Sequence, residues 1–127
     1  MKRGLLFVAG WAATLALASA APAEAVQRCG WFDNPTSGNA WLYDRDGEWT
    51  VGIQGGHQAQ GAWPQLGGSR WVRTGNGSAG YACVCMKVRV DAESHEVSRI
   101  LSSRVQPLSV CRADPAIKGL EPENPLK

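Results

Sequence analysis

The clearest pattern in the chain is a two-residue alternation running from Tyr81 to Val90. Ala82, Val84, Met86, Val88 and Val90 take one parity; Cys83, Cys85, Lys87 and Arg89 take the other. Successive side chains of a strand point to opposite faces of a sheet. The first set therefore predicts a core face, and the second places both cysteines on the other side. A second patterned stretch flanks Asp44-Arg45-Asp46-Gly47. Ala40 to Tyr43 leads in, and Glu48 to Ile53 leads out with Trp49, Val51 and Ile53 on one parity. Asp-Gly between two such runs is a hairpin signal, because glycine supplies the positive φ that a tight reversal needs. Arg70 to Arg73 reads as a short strand. Val97 to Val105 is ambiguous: Val97, Ile100, Leu101 and Val105 also fit a helical stripe, while Ser98, Ser102 and Ser103 favour a strand.

The intervening stretches are rich in turn formers. Residues 26–39 contain Gly30, Asn34-Pro35, Gly38 and Asn39, which predict irregular chain pinned by Cys29, Trp31 and Phe32. Gln54 to Gly68 is a glycine- and glutamine-rich loop, Thr74 to Gly80 a glycine-rich reversal, and Asp91 to Glu96 a polar turn. Past Cys111 the chain carries three prolines and few apolar residues, which predicts a mobile tail over 115–127. The expected fold is all-β: a small barrel or sandwich of five or six short strands, with no helix after the N-terminal segment. A barrel of the oligonucleotide/oligosaccharide-binding type is among the architectures that fit.

The N-terminal segment has the composition of a secretory signal. Lys2 and Arg3 precede an uncharged apolar run from Gly4 to Leu17, and Ala18-Ser19-Ala20 fits the small-residue cleavage pattern. Ala23-Glu24-Ala25 offers a second site. The apolar run is shorter than the roughly 20 residues that cross a bilayer, so no stable membrane anchor is expected. Cys29 lies too far behind that run to carry a lipid. The expected organisation is a signal peptide over 1–20, a linker over 21–28, a β domain over 29–114, and the tail. Removing twenty of the 127 residues leaves 107, enough for one domain with a modest core. Removing Lys2 and Arg3 from the 13 basic residues leaves 11 against 11 acidic ones. A near-zero balance gives no reason to expect nucleic acid or an anionic membrane as partner.

All four cysteines, Cys29, Cys83, Cys85 and Cys111, lie outside the signal segment. An even count in a small exported chain reads as a disulfide framework. Cys83 and Cys85 would point the same way along a strand and are badly placed to bond each other. One should reach Cys29 and the other Cys111, in either combination. A bridge closing about 55 residues is worth roughly 4 kcal/mol in the chain-entropy model, comparable with the net stability of a small domain. Metal binding is the competing reading, but C-x-C is not the usual structural-zinc spacing.

Taken in order, Cys29-Gly30-Trp31-Phe32-Asp33-Asn34-Pro35-Thr36, Asn39, Leu42, Asp44, Gly47-Glu48-Trp49 and Gln54-Gly55-Gly56 resemble a family of small exported bacterial proteins, domain of unknown function 4087. Trp71-Val72, Gly80-Tyr81, the Cys83/Cys85 pair, Asp91, Ile100, Ser102, Pro107-Leu108 and Cys111-Arg112 extend the resemblance to about Asp114. It implies a periplasmic or envelope setting in a Gram-negative-like bacterium, and no particular activity.

No cofactor or nucleotide fingerprint is present. Asp44-Arg45-Asp46-Gly47-Glu48 starts like a calcium loop, but position 12 is Gly55 rather than the closing glutamate. Five tryptophans remain after the signal: Trp31, Trp41, Trp49, Trp63 and Trp71. Each is either core area in a domain short of large aliphatics or a stacking surface for a sugar. Trp49 belongs with the core parity; Trp63, beside Pro64 in a loop, is the better candidate for exposure. The expected function is a non-enzymatic binding module for an envelope protein or glycan, inhibition of an exported hydrolase being one form of it. Candidate ligand residues are Trp31, Asn34, Trp41, Gln54, His57, Trp63 and Trp71. A small envelope hydrolase using His57 and a purely structural envelope accessory are the alternatives.

Overall fold

The computed structural model describes residues 4, 7–16 and 23–127. The Ala18-Ser19-Ala20 cleavage pattern lies outside the described residues. Seven strands follow: β1 (Val26–Thr36), β2 (Asn39–Asp44), β3 (Gly47–Gly52), β4 (Gln60–Gly61), β5 (Trp71–Arg73), β6 (Gly80–Asp91) and β7 (Glu96–Gln106). A short helix, α1 (Leu108–Ala113), comes after them.

The hairpin of β2 and β3 turns at Gly47, whose φ of 113° only glycine adopts readily. β6 and β7 also pair antiparallel along most of their length, which settles 97–105 as strand. Residues 26–39 differ from expectation. Val26–Thr36 is a long strand, paired with β6 at nine positions and with β2 on its other edge. Its turn-forming residues have other reasons to be there. A Cβ on Gly30 would lie 2.0 Å from the Tyr43 carbonyl oxygen, so the close approach of β2 requires glycine. Pro35 sits where the β1–β2 register shifts, and its missing N–H costs the ladder nothing.

The strands close on themselves. β1 pairs β2, β2 pairs β3, β3 meets β7 in parallel at Thr50 and Glu96, β7 pairs β6, and β6 returns to β1. That circuit is the connectivity of an oligonucleotide/oligosaccharide-binding barrel. β4 and β5 are short additions along β7 and β6.

Phe32, Leu42, Trp49, Val51, Val84, Met86, Val88, Val97 and Ile100 fill the interior. Burying one such side chain is worth about 1.5–3 kcal/mol. Trp63, Leu66 and Trp71 pack on that core from the β3–β6 connection.

A second layer covers the outside of β1 and β6. Trp31, Tyr81, Cys83, Cys111 and Ile117 form it, with Tyr43, Val72 and Leu108 at its margin. α1 is the helix that the sequence does not announce. Its six residues are too few for a helical stripe to show, and it aims Cys111 back at Cys83. The tail expected to be mobile is packed as far as Glu121. Ile117 is 3 % exposed, its carbonyl accepts from Trp31 Nε1 at 2.9 Å, and Glu121 accepts from Tyr81 Oη at 2.6 Å and Arg112 Nε at 2.7 Å.

The bridges are Cys29–Cys85 and Cys83–Cys111, and no described cysteine is free. Cys29 and Cys85 are directly opposed partners in the β1–β6 ladder. Their sequence separations of 56 and 28 correspond to roughly 4 kcal/mol for the longer loop and slightly less for the shorter.

Candidate functional site

On β2, Ala40, Leu42 and Asp44 point into the barrel and are buried, so Trp41 and Tyr43 point out. Their cross-strand neighbours define the outer face. Trp41 stands between Asp33 on β1 and Thr50 on β3; Tyr43 stands between Trp31 and Glu48. Asp33 has Tyr81 of β6 on its other side. Directly opposed side chains on one face lie about 5 Å apart at Cβ, so Asp33 is flanked by aromatic rings from two strands, with a third on the diagonal.

Asp33 is half-buried, and among the described residues its side chain makes no hydrogen bond or ion pair. Burial pushes its carboxyl up to about 6, because desolvation disfavours the charged form. Burial, with the charges of Glu48 and Asp33, also raises the Tyr43 phenol above its ordinary value. The Trp41 indole N–H likewise has no protein acceptor among the described residues, whereas those of Trp31, Trp49 and Trp63 donate to Ile117 O, Asp44 Oδ1 and Ala59 O.

The contrast with Asp44 separates a structural carboxylate from an unused one. Asp44 Oδ1 accepts from Trp49 Nε1 at 3.0 Å and from Asp46 N at 2.8 Å, and Oδ2 accepts from Arg28 Nη1 at 2.8 Å. Arg28 lies 4.0 Å from the Trp49 ring centroid, and His95 stacks on Trp49 at 3.7 Å. That network fixes the β2–β3 turn. Asp33 does nothing comparable for the fold.

An indole face, a phenol and an acceptor-only carboxylate on one surface suit a ligand with both apolar C–H faces and hydroxyl groups. Among the described residues, no group of three or more His, Cys, Asp or Glu side chains converges to hold a metal.

The residues singled out in the sequence are dispersed. Trp31 is fully buried in the second layer. Trp63 and Trp71 pack on the barrel core, Trp63 edge-on to Phe32. Asn34 is turned so that its amide nitrogen donates to Asn39 O and Thr36 O, both at 2.8 Å, closing the β1–β2 turn. Gln54 is exposed, its backbone N–H held by Asn39 Oδ1 at 2.8 Å. His57 Nε2 lies 2.7 Å from Val97 O, and Nδ1 lies 3.7 Å from Glu96 Oε2; the ring straps its loop to β7. Of these candidates, Trp41 alone stands beside Asp33 on the part of the outer face that the second layer leaves uncovered. Asp33 and Tyr43 were missed by sequence reasoning, because reading 26–39 as irregular chain hid the parity that sets Asp33 opposite Trp41.

Fold and site together define a small, twice-bridged β-barrel carrying an aromatic and acidic outer face. Residues 23–118 match the family described as protein of unknown function (DUF4087), and the chain belongs to that family. No curated protein and no solved structure matches it. The two disulfides, and the lack among described residues of any helix long and apolar enough to cross a membrane, are compatible with an exported protein.

Proposed function

We propose that the protein is an exported, periplasmic or secreted, non-enzymatic envelope domain that binds a glycan on the outer face of β1, β2 and β3. The observation that carries this reading is the unpartnered, half-buried Asp33 carboxyl directly beside Trp41, whose indole N–H is also unused. A pyranose stacks its C–H face on the indole, and the carboxylate accepts from its hydroxyls in charge-assisted hydrogen bonds. Barrels of this connectivity use the same region, the faces of their second and third strands, for extended oligomers. His57 is occupied by Val97 O and Glu96, and no described hydroxyl or thiol hydrogen-bonds it, so the hydrolase alternative gains no support.

The test is co-sedimentation of the exported protein with purified peptidoglycan, and titration with soluble glycan fragments followed by tryptophan fluorescence. Saturable binding is expected, weakened up to about tenfold in Trp41→Ala, the loss of one aromatic stacking contact of up to about 1.5 kcal/mol. Retention of an envelope protein but no glycan would transfer the face to a protein partner. Binding unchanged by both Trp41→Ala and Asp33→Ala would overturn the assignment of this surface.

A further inference from the structure

The near-zero charge balance hides a segregation that only the strand register reveals. On the outer face of the β6–β7 hairpin, Arg89 sits directly opposite Arg99, Lys87 opposite Ser102, and Arg104 opposite Cys85. Opposed Cβ atoms are about 5 Å apart and diagonal ones about 7–8 Å, so four cations share one short strip. Like charges directly opposed destabilise a sheet, and none of the four makes an ion pair among the described residues. Arg89 Nε donates to Ala23 O at 3.0 Å, and Arg99 donates to Gln60 Oε1. Exposed Lys87 and Arg104 make no side-chain hydrogen bond to the described protein, and they border a shallow depression of about 290 Å³ that Gln27 and Ser102 also line. At the hairpin tip, Asp91 Oδ1 accepts from Glu93 N at 3.0 Å and Ser94 N at 3.2 Å. Glu24, next to Ala23, pairs with none of the four.

We propose that this face docks on the phosphate groups of an anionic lipid surface. The cations are spread along an open strip rather than gathered in an enclosed pocket, which suits an array of phosphates better than a single one. The chain also enters the barrel here, since Arg89 holds Ala23, the first residue after the leader segment that the structure describes. The attraction is long-range and screened by salt, so docking is reversible and needs no apolar insertion. It uses β6 and β7 and is independent of the glycan face on β1 to β3.

The experiment is sedimentation of the exported protein with phosphatidylcholine vesicles, with and without phosphatidylglycerol. Binding is expected only with phosphatidylglycerol, and is expected to vanish at high salt. Each cation at such a surface strengthens binding roughly fivefold, so Lys87→Gln/Arg104→Gln should bind about thirtyfold more weakly. The same variant should keep its melting temperature and its glycan binding, and Lys87→Arg/Arg104→Lys should keep vesicle binding. Equal binding to neutral vesicles, or unchanged binding by the glutamine variant, would overturn the proposal. So would release by inorganic phosphate beyond that by chloride of equal ionic strength, which would mark a discrete phosphate site instead.

Discussion

Asp33 lies directly across the β1–β2 ladder from Trp41, and neither polar group has a partner within the described protein. Opposed positions of a ladder share one face of the sheet, and the β1–β2 register makes these two such a pair. Asp33 stands two residues from the fully buried Trp31.

The Asp33 carboxyl makes stability depend on pH in an uncommon direction. Its folded value of about 6 lies above its ordinary 3.8, so the folded state binds the proton more tightly. Stability from this group is complete below about 4 and is lost as pH rises through about 6. Asp33→Asn, which mimics the neutral acid, should match the parent near pH 3.5 and exceed it near pH 7 by on the order of 1 kcal/mol, reduced for partial solvent access. Denaturant titrations at the two pH values check this; an equal difference at both would contradict it.

Gly30 has no room for a side chain. With a Cβ 2.0 Å from Tyr43 O, Gly30→Ala must separate β1 from β2 and should cost about 3 kcal/mol or more. Thermal melting of the exported variant measures the loss. Gly55→Ala is the control for glycine removal where no atom crowds the added carbon, although its own φ of 79° carries some backbone strain.

Peptide mapping without reductant should recover Cys29 joined to Cys85 and Cys83 joined to Cys111. Cys83→Ala/Cys111→Ala should cost roughly 3–4 kcal/mol and free α1 and Ile117 from Trp31. Faster proteolysis after residue 107, with a red-shifted tryptophan emission, would report that release.

Asp44 is the one buried charged residue among the described residues. Asp44→Ala leaves Arg28 without its buried partner and Trp49 Nε1 without an acceptor. A loss of about 3 kcal/mol is expected, read as a shift in the denaturation midpoint. Asp46→Ala removes only an exposed partner of Arg28 at 2.9 Å and should cost under about 1 kcal/mol.

Local spacing was enough to reveal several elements. The alternation in Tyr81–Val90 foretold which β6 residues enter the core, and the Asp-Gly reversal foretold the β2–β3 hairpin, because period and turn geometry are properties of neighbouring residues. β1 was not legible. Its glycine, asparagine and proline argue for a turn when only local preference is weighed, and a paired strand when β2 and β6 supply ladders on both edges. The same blindness hid Asp33 and spread the tryptophan candidates too widely, since burial of Trp31 depends on Ile117, 86 residues away.

By itself, then, the chain's order of residues determined a β-rich, twice-bridged domain behind a signal-like segment, and which parities are apolar. Only the tertiary structure decided the bridge partners, barrel closure through Thr50 and Glu96, and which tryptophan stays on the outer face. It also decided that a nearly neutral chain presents a strip of four cations. Those features arise where segments distant in sequence meet. Neither composition nor short-range periodicity contains the strand register that brings them together.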